Sequence, residues 1–344
     1  MARLYECGTG RIQPLLPAGT PAETPWRPAS RPPGPASGTF PDPAPCPMPP
    51  ALVVPFTKMS GAGNDFVVLD NRFLRFSDAE LAALAARVCP RRVGVGADGL
   101  LALDDPDAAG ADFRMRYRNA DGSLATMCGN GARCLARFAA RAGLGRETDG
   151  GGDAGVALTF DTDGGRYTAV VAGGRAASGP VRLDVPAPRA FAPVHDVAGV
   201  FPADAHADPL VRLWTGTEHV VAFVPDAAAV DLAEAGPRIR HDAAFAPAGT
   251  NVNVAEVVAR GDGEGDARLV VRTFEKGVEG ETLACGTGAL AAAFAAYRTG
   301  RVAVPRVRVA MPGGVLRVTF SADGASGLTL DGPAETVYEG TLKA

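Results

Sequence analysis

Apolar and polar positions alternate along this chain in short bursts, and each burst bounded by Gly, Pro, Asn or Asp predicts a strand. In the first part these are 52–57 and 66–70, on either side of the turn Ser60-Gly61-Ala62-Gly63-Asn64, and the stretch where Phe113, Met115 and Tyr117 alternate with Arg114, Arg116 and Arg118. The last pattern describes a half-buried strand with one charged face. A hairpin is expected at 156–161 and 167–172, closed by Asp163-Gly164-Gly165. Elsewhere the spacing becomes helical. Ser77 and Glu80 form a capping box ahead of Leu81, Leu84, Ala85 and Val88, which predicts a helix ending near Pro90. A second helix is expected from Cys128 to Gly143, after the turn Asn119-Ala120-Asp121-Gly122. The later part repeats this grammar, with strands at 211–214, 220–224, 252–258 and 269–274, a Gly-rich loop, and a helix at 287–297. Many strands with one long helix in each half predict an α+β fold. Charged runs such as 87–92 read as solvated faces.

The two long helices open on the same pattern, Cys-Gly-x-Gly-Ala, as Cys128-Gly129-Asn130-Gly131-Ala132 and as Cys285-Gly286-Thr287-Gly288-Ala289. Glycines let the backbone turn tightly, so a cysteine at such a start faces unpaired N–H groups and the positive end of the helix dipole. That environment is expected to lower the thiol pKa and to bind anions. The cysteines are about one domain length apart, so a duplication would bring the two helix starts to either side of a cleft. A thiolate and a thiol on opposite faces of one carbon are what a cofactor-free racemase needs. Cys89 and Cys134 lack this context and read as small core residues.

Composition narrows the class. With 344 residues, of which 47% are hydrophobic, the chain can build two cores. A formal net charge of -4, from 38 acidic and 34 basic residues, supplies no electrostatic reason to expect nucleic acid or an anionic membrane as partner. No stretch has the apolar length of a membrane span, and the start Met1-Ala2-Arg3-Leu4 lacks the core of a signal peptide. Six cysteines in a chain this long do not form a secreted disulfide framework, and thiols that must stay reduced suit a cytoplasm. There is no Cys-x-x-Cys and no zinc spacing, so neither a metal site nor a thiol-redox protein is expected. A pyridoxal-phosphate racemase would need a Schiff-base lysine, and neither Lys58 nor Lys276 sits in a phosphate-cradling context. No cofactor is expected. Residues 1–50 are dense in proline without apolar periodicity and read as a disordered extension, or as sequence upstream of a true start at Met48.

Four segments then carry a resemblance. Gly61-Ala62-Gly63-Asn64-Asp65-Phe66, Tyr117-Arg118-Asn119-Ala120-Asp121-Gly122, Met127-Cys128-Gly129-Asn130-Gly131-Ala132-Arg133-Cys134 and Glu281-Thr282-Leu283-Ala284-Cys285-Gly286-Thr287-Gly288 resemble the diaminopimelate epimerases. The resemblance runs from about Val53 to the C-terminus. It implies a cofactor-independent cytoplasmic homodimer that converts LL-diaminopimelate to the meso form, in lysine and peptidoglycan biosynthesis. It also implies two pseudo-symmetric domains, 51–187 (with 334–344 returning to it) and 188–333, each a barrel-like sheet around a central helix. Residue by residue, Cys128 and Cys285 would be the acid/base pair, with His219 and Glu275 assisting. Asn64, Asn119, Gly129, Asn130, Thr217, Asn251, Glu275, Lys276, Gly286 and Thr287 would hold the substrate. Proline racemases and hydroxyproline epimerases are the nearest alternative, but usually show His where this chain has Asn130.

Three departures from the family pattern stand out. Glu275-Lys276 replaces Glu-Arg, with an extra residue in the following loop, which exchanges a bidentate fork for a point charge. Thr217-Glu218-His219 replaces Asn-Pro-His, and Ser60 stands where many members have His.

Overall fold

A helix rich in alanine can be enclosed on every side, because its short side chains let a sheet come close, and two such helices organise this protein. The computed structural model describes residues 53–148, 154–194, 210–261, 265–323 and 326–343. The Pro-rich segment 1–50 and the candidate start Met48 lie outside them. The first half holds β1 (Val53–Gly61), β2 (Asn64–Asp70), α1 (Asn71–Leu74), α2 (Asp78–Val88), β3 (Gly99–Asp104), β4 (Phe113–Asn119), α3 (Gly129–Arg141), β5 (Arg146–Thr148), β6 (Gly155–Thr162), β7 (Gly165–Ala172) and β8 (Val181–Asp184). The second holds β9 (Arg189–Val194), β10 (Leu210–Trp214), β11 (Glu218–Phe223), α4 (Leu232–Arg240), β12 (Asn251–Ala259), β13 (Ala267–Glu275), β14 (Gly280–Thr282), α5 (Gly286–Arg298), β15 (Arg306–Met311), β16 (Gly314–Thr319), β17 (Thr329–Gly332) and β18 (Glu335–Lys343).

One pairing order occurs twice. Antiparallel β1–β2, parallel β2–β3, antiparallel β3–β4 and parallel β4–β6 are matched by β10–β11, β11–β12, β12–β13 and β13–β15. Antiparallel β6–β7–β8 and β15–β16–β17 complete the two sheets, which join where Leu183 of β8 faces Leu330 of β17. The strand after β8, β9, pairs with β10, and the strand after β17, β18, returns to pair with β1. The α+β class expected from the element pattern is what is found.

Each sheet curls around one helix. Met59, Phe66, Leu101, Phe113, Met115 and Phe160 close over Ala132, Leu135, Ala136 and Ala139 of α3, and Val221, Val271, Val309 and Leu316 close over the alanines of α5. Burying each large side chain contributes about 1.5–3 kcal/mol. The outer faces are covered by α2, through Leu81, Leu84 and Val88, and by α4, through Leu232 and Ile239. In α2 the Ser77 hydroxyl accepts from Glu80 N at 3.4 Å while Ser77 N donates to Glu80 Oε2 at 2.8 Å, the capping box read from the sequence. The arginines of β4 do not form a free solvated face. Arg116 pairs with Asp104 and Asp78, and Arg118 with Asp78 at the start of α2, because α2 lies across that face. Among the described residues no helix is long and apolar enough to cross a membrane.

Candidate active site

Both repeated cysteines are the residues that cap their helices. Cys128 precedes α3 with extended φ and ψ of -139° and 121°, and its sulfur accepts from Gly131 N at 3.5 Å. Cys285 precedes α5 with -115° and 107°, and its sulfur accepts from Gly288 N at 3.4 Å. The thiol thus takes the place that a Ser or Asp side chain takes at an ordinary helix start. Gly288 is needed for room, since a Cβ there would lie 2.4 Å from Asn253 Oδ1. The other two glycines let the starts approach: a Cβ on Gly129 or on Gly286 would meet the same Leu330 Cδ2, at 3.5 and 3.1 Å.

The two starts face one cavity of about 890 Å³. Asn130, two residues after Cys128, donates from Nδ2 to the carbonyl of Ala284, the residue before Cys285, at 3.3 Å. That bond ties the two cysteine loops together directly. The lining includes Cys128, Cys285, Asn64, Asn119, Gly129, Asn130, Thr217, Glu275, Gly286 and Thr287. His219, Asn251 and Lys276 are not in the lining. His219 is 1% exposed behind it, with Nε2 3.3 Å from Asn251 Nδ2 and Nδ1 3.1 Å from Asn253 Nδ2. Burial pushes its pKa down to about 3, so the ring is neutral and is a poor candidate for direct acid catalysis. The side-chain Oδ1 of Asn251 accepts from Lys276 N at 2.8 Å, and the Lys276 ammonium is taken up by the Glu218 carboxylate, which in turn accepts the Thr217 hydroxyl at 3.1 Å. Two of the departures from the family pattern are therefore in contact with each other. Asn119 lines the cavity while also holding its turn, donating to Ser123 Oγ at 2.9 Å.

The thiols do not follow the simple helix-dipole expectation. Burial raises the pKa of both, and at Cys128 the Gly131 and Asn130 N–H groups and the buried Arg133 only offset it. At Cys285, 5% exposed, burial and the Glu275 carboxylate act in the same direction and hold the thiol well above its usual range, against Thr287 and Gly288. Glu275 is itself raised by burial, and it accepts the hydroxyl of Thr282. Glu275 thus opposes ionisation of both thiols, while the charge of Arg133 favours it at Cys128. Cys134 and Cys89 are buried as expected, with pKa values pushed up to about 12 and about 11 by loss of water.

Comparison with known sequences decides what this site belongs to. A profile of the diaminopimelate epimerase family matches residues 56–174 and 212–337, one segment around each cysteine motif. Diaminopimelate epimerases of Chlorobaculum tepidum and Desulforudis audaxviator are 40% and 41% identical to the chain, each over 83% of it and over 99% and 98% of their own lengths. The chain belongs to the diaminopimelate epimerase family. As a diaminopimelate epimerase family member it is an isomerase, and its fold is shared more widely. A phenazine biosynthesis protein of the PhzF family from Bacillus anthracis superposes with a TM-score of 0.58 at 16% identity, over 85% of this chain and 99% of that one. A hydroxyproline epimerase from Agrobacterium vitis superposes with a TM-score of 0.58 at 15% identity, over 84% and 92%.

Several lining residues of this family member escape sequence reasoning. Arg91, in the run read as a solvated face, bonds Asp65 at 2.7 Å and Asp98 at 2.8 Å and borders the cavity. Asp98 accepts from Asn64 Nδ2 at 3.1 Å, a pairing across 34 positions with no local signal. Tyr117 lies in the wall edge-on to Phe66, and Trp214 lies there under the Arg189 guanidinium at 3.7 Å. The aromatic alternation around Tyr117 is a signal that it faces inward; for Trp214 the chain offers none.

Proposed function

We propose that this protein interconverts LL- and meso-diaminopimelate by moving one proton between two thiols on opposite faces of the substrate Cα. The observation that carries the reading is the convergence of two cysteine-capped helix starts of one pattern on one cavity, tied by the Asn130–Ala284 bond. Cys128, as thiolate, takes the Cα proton and becomes a thiol. The electron pair left on Cα spreads into the carboxylate, whose growing charge faces N–H groups at the two helix starts. Cys285, as thiol, gives its proton to the far face and becomes the thiolate. The reverse reaction exchanges the roles, and the enzyme resets by passing a proton back from Cys128 to Cys285 through solvent.

Around the reacting carbon, Asn64, Asn119, Asn130, Gly129, Gly286 and Thr287 offer donors and acceptors for the ammonium and carboxylate groups of the substrate. Glu275 holds the Cys285 proton. His219 and Asn251 act from behind, fixing the backbone that carries Lys276. Lys276 reaches the substrate only by leaving Glu218. The cleft reading goes with domains 51–187 (with 334–344) and 188–333, supported by the repeated strand order wrapped once around α3 and once around α5. Cytoplasmic placement is supported by the need for reduced thiols, and a homodimer by the family resemblance. Incubating the purified chain with LL-diaminopimelate and resolving the isomers by chiral chromatography tests the reading. Appearance of the meso isomer is expected, and an unchanged LL pool with folded, reduced protein would exclude it.

A further inference from the structure

Arg133 stands five residues after Cys128 in α3 and is fully buried. Among the described residues no carboxylate lies within ion-pair distance of it, so its charge is kept from water without a direct counter-ion, an arrangement that is costly unless its hydrogen bonds do something. Its guanidinium donates to Gly129 O at 3.3 Å, to Pro333 O at 3.3 Å and to Asn130 Oδ1 at 2.7 Å. Room for it is left by Gly332, where a Cβ would lie 2.8 Å from Arg133 Nε. One cation thus joins the Cys128 helix to the chain that leads into β18.

The bond to Asn130 has a consequence for the cavity. A guanidinium only donates, so the Asn130 amide must turn its oxygen toward Arg133. Its Nδ2 then gives one hydrogen to Ala284 O and the other to Asn64 Oδ1. Asn64 Nδ2 in turn donates to Asp98 Oδ2 at 3.1 Å, a group that only accepts. A chain of amides ending in a pure donor and a pure acceptor can run in one direction only. The second hydrogen on Asn64 Nδ2 has no acceptor among the described residues, and Asn64 lines the cavity, so what Asn64 offers there is a donor.

We propose that Arg133 is a positioning residue for the reaction, fixing the direction of the Asn130–Asn64 pair so that Asn64 presents an N–H to a substrate carboxylate oxygen. This rests on the site proposed above. The same guanidinium bonds the carbonyl of Gly129, the residue after Cys128, and its charge favours the Cys128 thiolate. The ionisable groups facing Cys128 are Arg133 and Cys134 from its own helix, Tyr117 from β4 and Glu275 from β13.

The test compares Arg133→Met and Arg133→Lys with the wild type, after wild-type conversion of LL-diaminopimelate has been measured; a dead wild type would sink the functional reading and not this one. Arg133→Met is expected to raise KM at least tenfold, with a smaller fall in kcat, and to move the pH midpoint of Cys128 alkylation upward in site-resolved mass spectrometry, because a thiolate has lost its cation. Arg133→Lys restores the charge but not the fork, so the midpoint returns toward wild type while KM stays raised. A merely structural role would lower the melting temperature without separating the two readouts. If Arg133→Met does not fold, Asp98→Leu removes the acceptor at the other end, where the side chain is 38% exposed, and is expected to raise KM. Wild-type KM in folded Arg133→Met or in folded Asp98→Leu overturns the proposal.

Discussion

The two helix starts share a backbone device and differ in what surrounds it. At Cys128 the next turn carries a buried guanidinium, whereas at Cys285 a buried carboxylate accepts a hydrogen bond from the thiol and holds its proton in place. Repetition alone would make two equal thiols, and two equal thiols cannot hold one proton in a defined place. The charges added after the repeat break the symmetry, which is what a two-thiol exchange needs.

The largest expected effect comes from removing either thiol. Cys128→Ala and Cys285→Ala should each lower kcat/KM by about 10³-fold, since each face of Cα loses its only proton carrier. Serine replacements should be nearly as poor, because a hydroxyl ionises far less readily. Steady-state assay of both variants checks this, and turnover at wild-type level in either one would break the pairing.

Glycines sharpen the comparison in another way. Gly288→Ala pushes a Cβ against Asn253 Oδ1 at 2.4 Å and Thr273 Oγ1 at 2.9 Å, and overpacking of this kind costs about 1–3 kcal/mol. Gly131→Ala meets side-chain carbons no closer than 3.3 Å, the Leu101 methyls at 3.3 and 3.5 Å and Phe66 Cε1 at 3.5 Å, which can give, so denaturant titration should find it the milder of the two. Equal losses would mean that the second start is not the tighter one.

Acid should also treat the halves differently. His219 at the start of β11 and Asp65 in β2 stand at matching ladder positions, opposite Leu213 and Ser60. Burial opposes charge on Asp65, yet Arg91 and Lys58 hold its carboxyl below the usual range, so its contribution is lost only as pH falls through that low value. His219 is pushed down from 6.5 to about 3, so the unfolded chain binds its proton first and stability falls as pH drops from 6.5 toward 3. Melting temperature should decline across that window, and His219→Gln should flatten the decline. An unchanged slope in the variant would show that His219 is not the group responsible.

The smallest effect concerns Lys276. Part-exposed ion pairs are worth about 0–1 kcal/mol, and this ammonium is already held by Glu218, so Lys276→Ala should raise KM by less than about fivefold. A larger rise would show that substrate draws Lys276 out of the pair and into the cavity.

What could be read from the chain beforehand follows from the range of the forces involved. The capping box at Ser77 and Glu80, the alternation from Phe113 to Tyr117 and both cysteine-capped starts act over two to four residues and leave a local pattern. Gly99–Asp104 leaves none, because all six residues of β3 are buried and no alternation survives. The β8–β17 seam joins Leu183 to Leu330, and nothing near either residue encodes the other. The site divides along the same line. Asn64 and Asn130 stand out in their motifs, but the Arg133–Asn130–Asn64–Asp98 direction, the burial of His219 and the net upward shift of both thiols depend on the enclosing sheets.

The central claim is that two thiols act from opposite faces of one carbon, and isotope placement tests it most directly. LL-diaminopimelate is converted in deuterated water, and substrate and product are separated and weighed while little has reacted. If one thiol removes the proton and the other delivers a solvent-derived one, the meso product carries deuterium at the inverted Cα while the remaining LL pool stays protiated. Deuterium entering the LL pool as fast as product forms would mean that a single exchanging base serves both faces, and would contradict the account.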